Sequence, residues 1–291
     1  METVYHYTSL NGFLGIIGSR SLWATNAAYL NDAAEINHAI DFARRVTGAI
    51  YMQDDYLAAF GWVTRHALTD LEIGELYVTS FSEAPDLLSQ WRGYCPTGAG
   101  LCLGFDLEFL KDYCKQQGYR LEKCIYGDAN SIDDIHNLVS QCLEKFPKPL
   151  ITREQFDNLD SEASSRYAIE SHLIVTEGTA KQEADKAISW LCSEISELAP
   201  RLKNNGFHEE AEWRIIAKKS DEETKFRTGS SYLIPYVSLD LSTAFSKALR
   251  EVIVGPNPNQ RRCADSVMIA LEQQNLNEVR LSCSSLPFNN W

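Results

Sequence analysis

The sequence predicts an α+β fold, a mixed sheet with a helical insertion, and three observations lead there. Segments with strand character lie near both ends of the 291 residues, and the stretch 130–205 between them is helical in pattern. No internal repeat, low-complexity tract or Gly/Ser linker divides the chain. Strands at both ends around a helical middle imply one sheet completed by distant segments. Residues 1–291 are therefore expected to form a single domain, with 130–205 as a helical subdomain within it.

The elements follow in order. VYHYTS reads as a strand near 3–8, and Leu10, Phe13, Leu14 and Ile17 then recur at i, i+3, i+4, i+7, the spacing of an amphipathic helix over 9–18. SLWAT is a short strand, and helical stretches follow near 33–47 and 53–70. ELYVTSFS (75–82) alternates and carries β-formers, as does GAGLCLGFD (98–106). Between them DLLSQWRGY is a short helix with Asp86 as its expected cap. DDIHNLVSQCLEKF and the long run from YAIESH to SEISELA carry helical periodicity. Strand character returns in EWRIIAK (212–218), YLIPYVSLDL (232–241), REVIVGP (250–256) and NEVRLSC (277–283), with a helix near 259–273.

Composition narrows the chemistry. A hydrophobic content of 44% beside 23% charged residues is that of a globular protein. No apolar run approaches the roughly 18–20 residues that span a bilayer, and no signal peptide is expected, so a cytoplasmic protein without membrane contact is the expectation. Eight cysteines without CxxC or CxxH spacing read as reduced, mostly buried thiols. The six histidines form no HExxH-like pair, so no metal is expected. The net charge of −13 disfavours nucleic-acid binding by the whole surface, while leaving room for a local basic groove or a basic partner.

Four segments hold polar groups that a core does not require. In Tyr5-His6-Tyr7-Thr8, His6 taken alone is a half-buried strand histidine bonded to a backbone carbonyl; the other reading is a ligand contact. Tyr29-Leu30-Asn31-Asp32, with Glu35, reads as a helix start capped by Asn31 or Asp32. Ser80-Phe81-Ser82-Glu83 runs on to Gln90-Trp91-Arg92-Gly93-Tyr94. One reading of these aromatics is plain core; the other, favoured because Trp91 and Tyr94 are three apart on a short helix beside a polar strand end, is a platform for a planar ring. In GFHEEAEWRII, period two sets Glu210, Glu212 and Arg214 on one strand face, opposite Trp213 and Ile215. Two carboxylates so placed crowd each other unless Arg214, Arg92 or a ligand hydroxyl compensates.

Together these blocks (YHYTS, LWAT…YLND, SFS…LLSQWRGY, E-x-E-W-R, then PY and GP) resemble a bacterial family designated domain of unknown function 2971, over nearly the whole chain. VYHYTSLNGFLGIIGSRSL further resembles the opening of ADP-ribosyltransferases of the His-Tyr-Glu type and of DNA-modifying toxins of toxin–antitoxin systems. That resemblance implies an ADP-ribosyltransferase-like mixed sheet, NAD as substrate and no metal. It places the adenosine-side ribose on His6 and the nicotinamide amide on the backbone of Tyr7, beside Thr8. Phe81 and Ser82 would stand at the end of the second strand, Trp91 or Tyr94 would stack on the ring with Arg92 nearby, and Glu212 or Glu210 would be the catalytic carboxylate. The sequence departs from the pattern at Tyr7, where a small residue is usual, and in offering two glutamates.

Residue types agree with that chemistry, since breaking the N-glycosidic bond of NAD builds positive charge on the ribose that a carboxylate stabilises. The implied function is an NAD-dependent ADP-ribosyltransferase, a toxin or antiphage-defence effector that modifies a nucleic acid or protein acceptor and releases nicotinamide. An antitoxin or other regulatory protein is an expected partner, and the helical subdomain an expected contact for acceptor or regulator. The alternatives are an NAD glycohydrolase, with water as acceptor, and a catalytically silent nucleotide-sensing module.

Overall fold

A computed structural model describes residues 2–30, 33–71, 76–95, 99–218, 223–229 and 231–287, and within them all side chains but those of 33–38 and 128–132. Asn31 and Asp32, one of them expected to cap a helix, lie outside the described residues, as does the side chain of Glu35.

The chain opens with β1 (Thr3–Ser9), α1 (Leu10–Ser19) and β2 (Ser21–Asn26), then α2 (Ala33–Gln53) and α3 (Ala58–Thr69). There follow β3 (Leu76–Ser82), α4 (Leu88–Tyr94), β4 (Gly100–Asp106), α5 (Leu107–Gln117), β5 (Arg120–Lys123) and β6 (Ile125–Tyr126). Helices α6 (Asp128–Lys145), α7 (Arg153–Asp157), α8 (Ser161–Ile174) and α9 (Gly178–Leu198) lead to β7 (Leu202–Lys203). The remainder is β8 (Glu212–Lys218), β9 (Lys225–Thr228), β10 (Leu233–Asp240), α10 (Phe245–Ala248), β11 (Leu249–Val254), α11 (Gln260–Gln273) and β12 (Arg280–Cys283).

Contacts divide the chain into two compact units. One spans 1–31, 74–124 and 206–291, the other 32–73 and 125–205. The second is helical: α2 packs on α3 and α6, and α3 on α8 and α9. It thus takes in residues 33–69 as well as the helical stretch after 130. Periodicity reveals an apolar stripe on each helix but not which other helix covers it. Phe60, Leu68, Val139, Phe146, Ile188 and Leu191 are among its buried residues.

The first unit is the α+β body. Its strands run in the order β12-β11-β4-β1-β3-β2-β10-β9, with β8 on the other edge of β3 and β5 beyond β8. All the pairs are antiparallel except β11 with β12. β4 lies between β1 and β11 and is buried at every position, which is why GLCLGFD is apolar on both faces. Val4, Tyr77, Phe81, Leu103, Phe105 and Ile215 lie in the main core, closed by Phe13, Ile16 and Ile17 of α1. α1 begins where the Ser9 hydroxyl accepts from Gly12 N at 3.1 Å, and it stops at Arg20 in the left-handed region (φ 50°).

Asp86 does not cap α4. The cap position falls on Leu87, without a side-chain bond. The Asp86 carboxylate instead accepts the Trp91 indole N–H at 2.7 Å, the Ser284 hydroxyl at 2.6 Å and Ser285 N at 3.0 Å. The carboxylate thereby ties α4 to the segment after β12.

In the helical unit, a methyl group on Gly61 would come within 2.6 Å of Tyr51 N and 2.8 Å of Tyr51 Cα, both backbone atoms. Gly61→Ala is therefore expected to lower stability by about 1–3 kcal/mol, the scale of overpacking, even though alanine is the better helix former. A urea titration measures it.

Candidate functional site

The site begins with a fork in the sheet. β8 covers one edge of β3 along its whole length, from Leu76↔Lys218 to Ser82↔Glu212. On the other edge β2 pairs with the start of β3 (Thr25↔Val78, Asn26↔Tyr77), whereas β1 pairs only with its end (Tyr5↔Ser82). β1 and β2 peel apart between these points, and Thr79, Ser80 and Phe81 face the gap without a strand partner on that edge. A backbone carbonyl left there needs another donor. His6 supplies it, its Nδ1 lying 2.9 Å from Ser80 O, while the Thr79 hydroxyl donates to Trp23 O at 3.0 Å.

That contact fixes the tautomer of His6. A carbonyl oxygen can only accept, so Nδ1 carries the proton and Nε2 is left with a lone pair. Burial pulls the pKa of His6 down, and the nearby Arg227 charge lowers it further against the opposing Ser80 bond. The ring is thus neutral at pH 7. Nε2 has no hydrogen-bond partner among the described residues, and its chemistry is that of an acceptor for a hydroxyl. The half-buried strand histidine on a carbonyl and the ligand contact are therefore compatible: one nitrogen does the first and leaves the other for the second.

Strand alternation separates His6 from its neighbours. His6 lies opposite Leu103 and 5.8 Å from the Phe81 ring, on the main-core side. Tyr7 points the other way, into a small cluster with Trp91, Cys95, Cys102 and Ile253. Its hydroxyl donates to Ala84 O at 2.8 Å and accepts from Leu87 N at 2.9 Å, fixing the turn that precedes α4. Burial raises its pKa, so it stays a phenol. Thr8 packs against the first turn of α1, with its Oγ1 where a side chain on Gly12 would go.

The aromatic residues expected to stack on a ligand ring are divided by the sheet. Phe81 is buried in the main core. Trp91 is 4% exposed, with the Tyr7 ring edge-on at 4.7 Å and the backbone of Gly255 against its ring. Neither offers a free face, so neither is the stacking ring. A buried tryptophan and an exposed one look alike in sequence, and the spacing of Trp91 and Tyr94 does not say which side the sheet lies on. Tyr94 is 40% exposed, and Arg92 beside it is exposed too.

The glutamates also separate. Glu210 does not lie on β8: it ends a 3-10 turn over Asn205–Glu210, and Ala211 follows in the left-handed region (φ 41°). This break in extended backbone cancels the period-two relation between Glu210 and Glu212. The Glu210 carbonyl accepts the Ser82 hydroxyl at 2.6 Å, so Glu210 meets the end of β3 through its backbone. Glu212 opens β8 and is 3% exposed. Arg214 is 1% exposed and grips it with Nε on Oε1 at 2.8 Å and Nη2 on Oε2 at 3.2 Å. The two share a strand face, as their spacing predicts, and lie across from Ser82 and Ser80. The fork brings His6 and Ser82 together directly. Glu212 reaches Ser82 only across the pairing of β8 with β3, on the strand face opposite Trp213 and Ile215, which lie on the main-core side with His6.

Two residues at the fork had not been singled out in the sequence. Thr25 pairs with Val78 at the joint. Arg227 of β9 donates from Nη2 to Thr25 Oγ1 at 3.2 Å. The alternating KFRT before Gly229 was the available signal. Four residues are too short for periodicity to stand out.

Residues 90–215, from α4 to β8, match the model of a family described as "Protein of unknown function (DUF2971)". No curated protein and no solved structure matches the chain. The DUF2971 match takes in α4 and the Glu212–Arg214 pair, while His6 and Arg227 lie outside it. No group of three or more metal-binding side chains occurs among the described residues, and no described helix is long and apolar enough to cross a membrane.

Two consequences can be measured. Glu212→Gln leaves the Arg214 charge buried without its counter-charge and is expected to cost about 3–5 kcal/mol, whereas replacing both residues by apolar ones of similar size should be close to neutral; urea titrations of both variants decide. For His6, the folded pKa lies below the unfolded value of about 6.5, so below that pH the unfolded state binds more protons. Stability present above about pH 6.5 is lost as pH falls, and His6→Gln should flatten the thermal midpoint between pH 5 and 7.

Proposed function

We propose that the α+β unit binds NAD in the fork and transfers its ADP-ribose to an acceptor, releasing nicotinamide. The observation that carries this reading is the His6 ring in the fork, with Nδ1 held by Ser80 O and Nε2 left as an acceptor. A ribose hydroxyl is a donor of the kind Nε2 takes. Glu212, two strands from β1 through Ser82, is the carboxylate assigned to the charge that develops on the ribose as the glycosidic bond breaks. Arg214 keeps that carboxylate ionised and oriented. Glu210 is assigned no catalytic part. The acceptor oxygen or nitrogen loses its proton as it takes the ribosyl group, so a nucleic acid or a protein side chain serves equally well in this chemistry. In a cell the activity is that of a toxin or defence effector, restrained by a partner protein.

A second reading has its own support. Both oxygens of Glu212 are occupied by Arg214, an arrangement that also suits a structural pair beneath a pocket that senses nucleotides without turnover.

The test is to incubate the protein with NAD, with and without labelled nucleic acid or lysate protein, and to measure free nicotinamide and transferred label. Nicotinamide with label is the expected result; nicotinamide without label means water is the acceptor, and neither product means a silent module. Among variants whose thermal midpoints show them folded, Glu212→Gln should lower turnover by about 10²–10³. His6→Ala should weaken NAD binding by about 1–3 kcal/mol.

A further inference from the structure

Arg227 is a half-buried cation that, among the described residues, donates from its side chain to a neutral hydroxyl and meets no carboxylate. In the same unit Arg214 is answered by Glu212, and the exposed Arg250 by Asp106. Burial lowers the pKa of Arg227, as expected of a guanidinium held away from water without an anion. Thr25 accepts from Arg227, and its own hydroxyl proton is uncommitted among the described residues. A cation and a free O–H donor therefore sit together at the joint of the fork. Their complement is an anion with several oxygens.

We propose that Arg227 and Thr25 form a phosphate-binding subsite at the fork, and that the ligand it takes is a nucleotide. The proposal rests on the reading of the fork as a nucleotide site, and it adds the residues that hold the charge. His6 Nε2 accepts a ribose hydroxyl on one side of the joint, and Arg227 with Thr25 donates to the phosphate oxygens on the other. The hairpin that carries Arg227 also carries Tyr232, 54% exposed, whose ring lies 6.1 Å from that of Tyr29, itself 42% exposed. These exposed rings offer a base a face to stack on, which a free phosphate would not use. An acceptor, oxyanion donors and exposed ring faces are the three kinds of group that a ribose, a phosphate and a base require. In a chain of net charge −13, a local cation is also what brings an anionic ligand to the fork.

Calorimetry with ADP, adenosine and pyrophosphate on the full chain tests the subsite. ADP should bind more tightly than either fragment. Arg227→Gln should weaken ADP by about 10- to 100-fold, the range for a hydrogen bond from a charged group, and leave adenosine unchanged. Arg227→Lys should fall between, and Thr25→Val should weaken ADP by less than Arg227→Gln. Thermal midpoints equal to wild type exclude loss of fold as the cause. ADP affinity unaffected by Arg227→Gln, adenosine weakened as much as ADP, or no ADP binding in the wild type would each overturn the proposal. Nicotinamide release tests the transferase reading separately. Absent release with Arg227-dependent ADP binding leaves the subsite standing, and NAD turnover with an unchanged KM in Arg227→Gln removes the subsite alone.

Discussion

The carbonyl of Ser80 is the group on which the site turns. A strand edge can take two partners only if they diverge, and where β1 and β2 diverge from β3 the backbone between Val78 and Ser82 loses its ladder. An unsatisfied buried carbonyl costs about 1–3 kcal/mol, so a fork persists only if side chains replace the strand. His6 and Thr79 do so here. A histidine suits the task better than a serine or asparagine, because its ring spans the gap and its second nitrogen emerges beyond the carbonyl. Closing the sheet and presenting an acceptor are two ends of one imidazole.

The neighbouring strand answers a different constraint. Glu212 and Arg214 are both buried, and an ion pair in such a place adds little net stability because both charges give up water. What it adds is orientation. Two hydrogen bonds hold a planar carboxylate against a planar guanidinium and leave few rotamers open to either. Arg227 is the contrast: its hydroxyl partner leaves charge unspent. Among the described residues, a carboxylate answers Arg214 and none answers Arg227.

Much of the fold was legible in the sequence, and particular residues show where legibility ended. The alternation of EWRIIAK and the apolar run GLCLGFD gave strands because burial on one face or on both leaves different patterns, and both segments are strands in the structure. The partnership of α2 and α3 with the later helices left no mark, since a stripe does not name its cover. At the site, His6 and the Glu212–Arg214 contact were readable because each depends on local geometry, a strand position and a spacing of two. Glu210 was misplaced because Ala211 takes a left-handed conformation that alanine does not advertise. Trp91 was misread as a platform because its burial is set by Gly255, far along the chain. Thr25 and Arg227 belong together only through pairing between distant strands, which no single-sequence periodicity contains.

The bond between Asp86 and Ser284 sets an order of events. These residues are 198 apart in sequence, and the carboxylate of the first holds both the indole of Trp91 and the segment after β12. A chain emerging from the ribosome N-terminus first can fold α2 and α3 early, whereas α4 acquires its anchor only when residues near 284 have been made. Contacts this distant form late, because the loop they close must first lose its freedom. The bond from Asp86 to Ser284 can therefore form only after β1, β2, β3 and β8 of the fork have all been made.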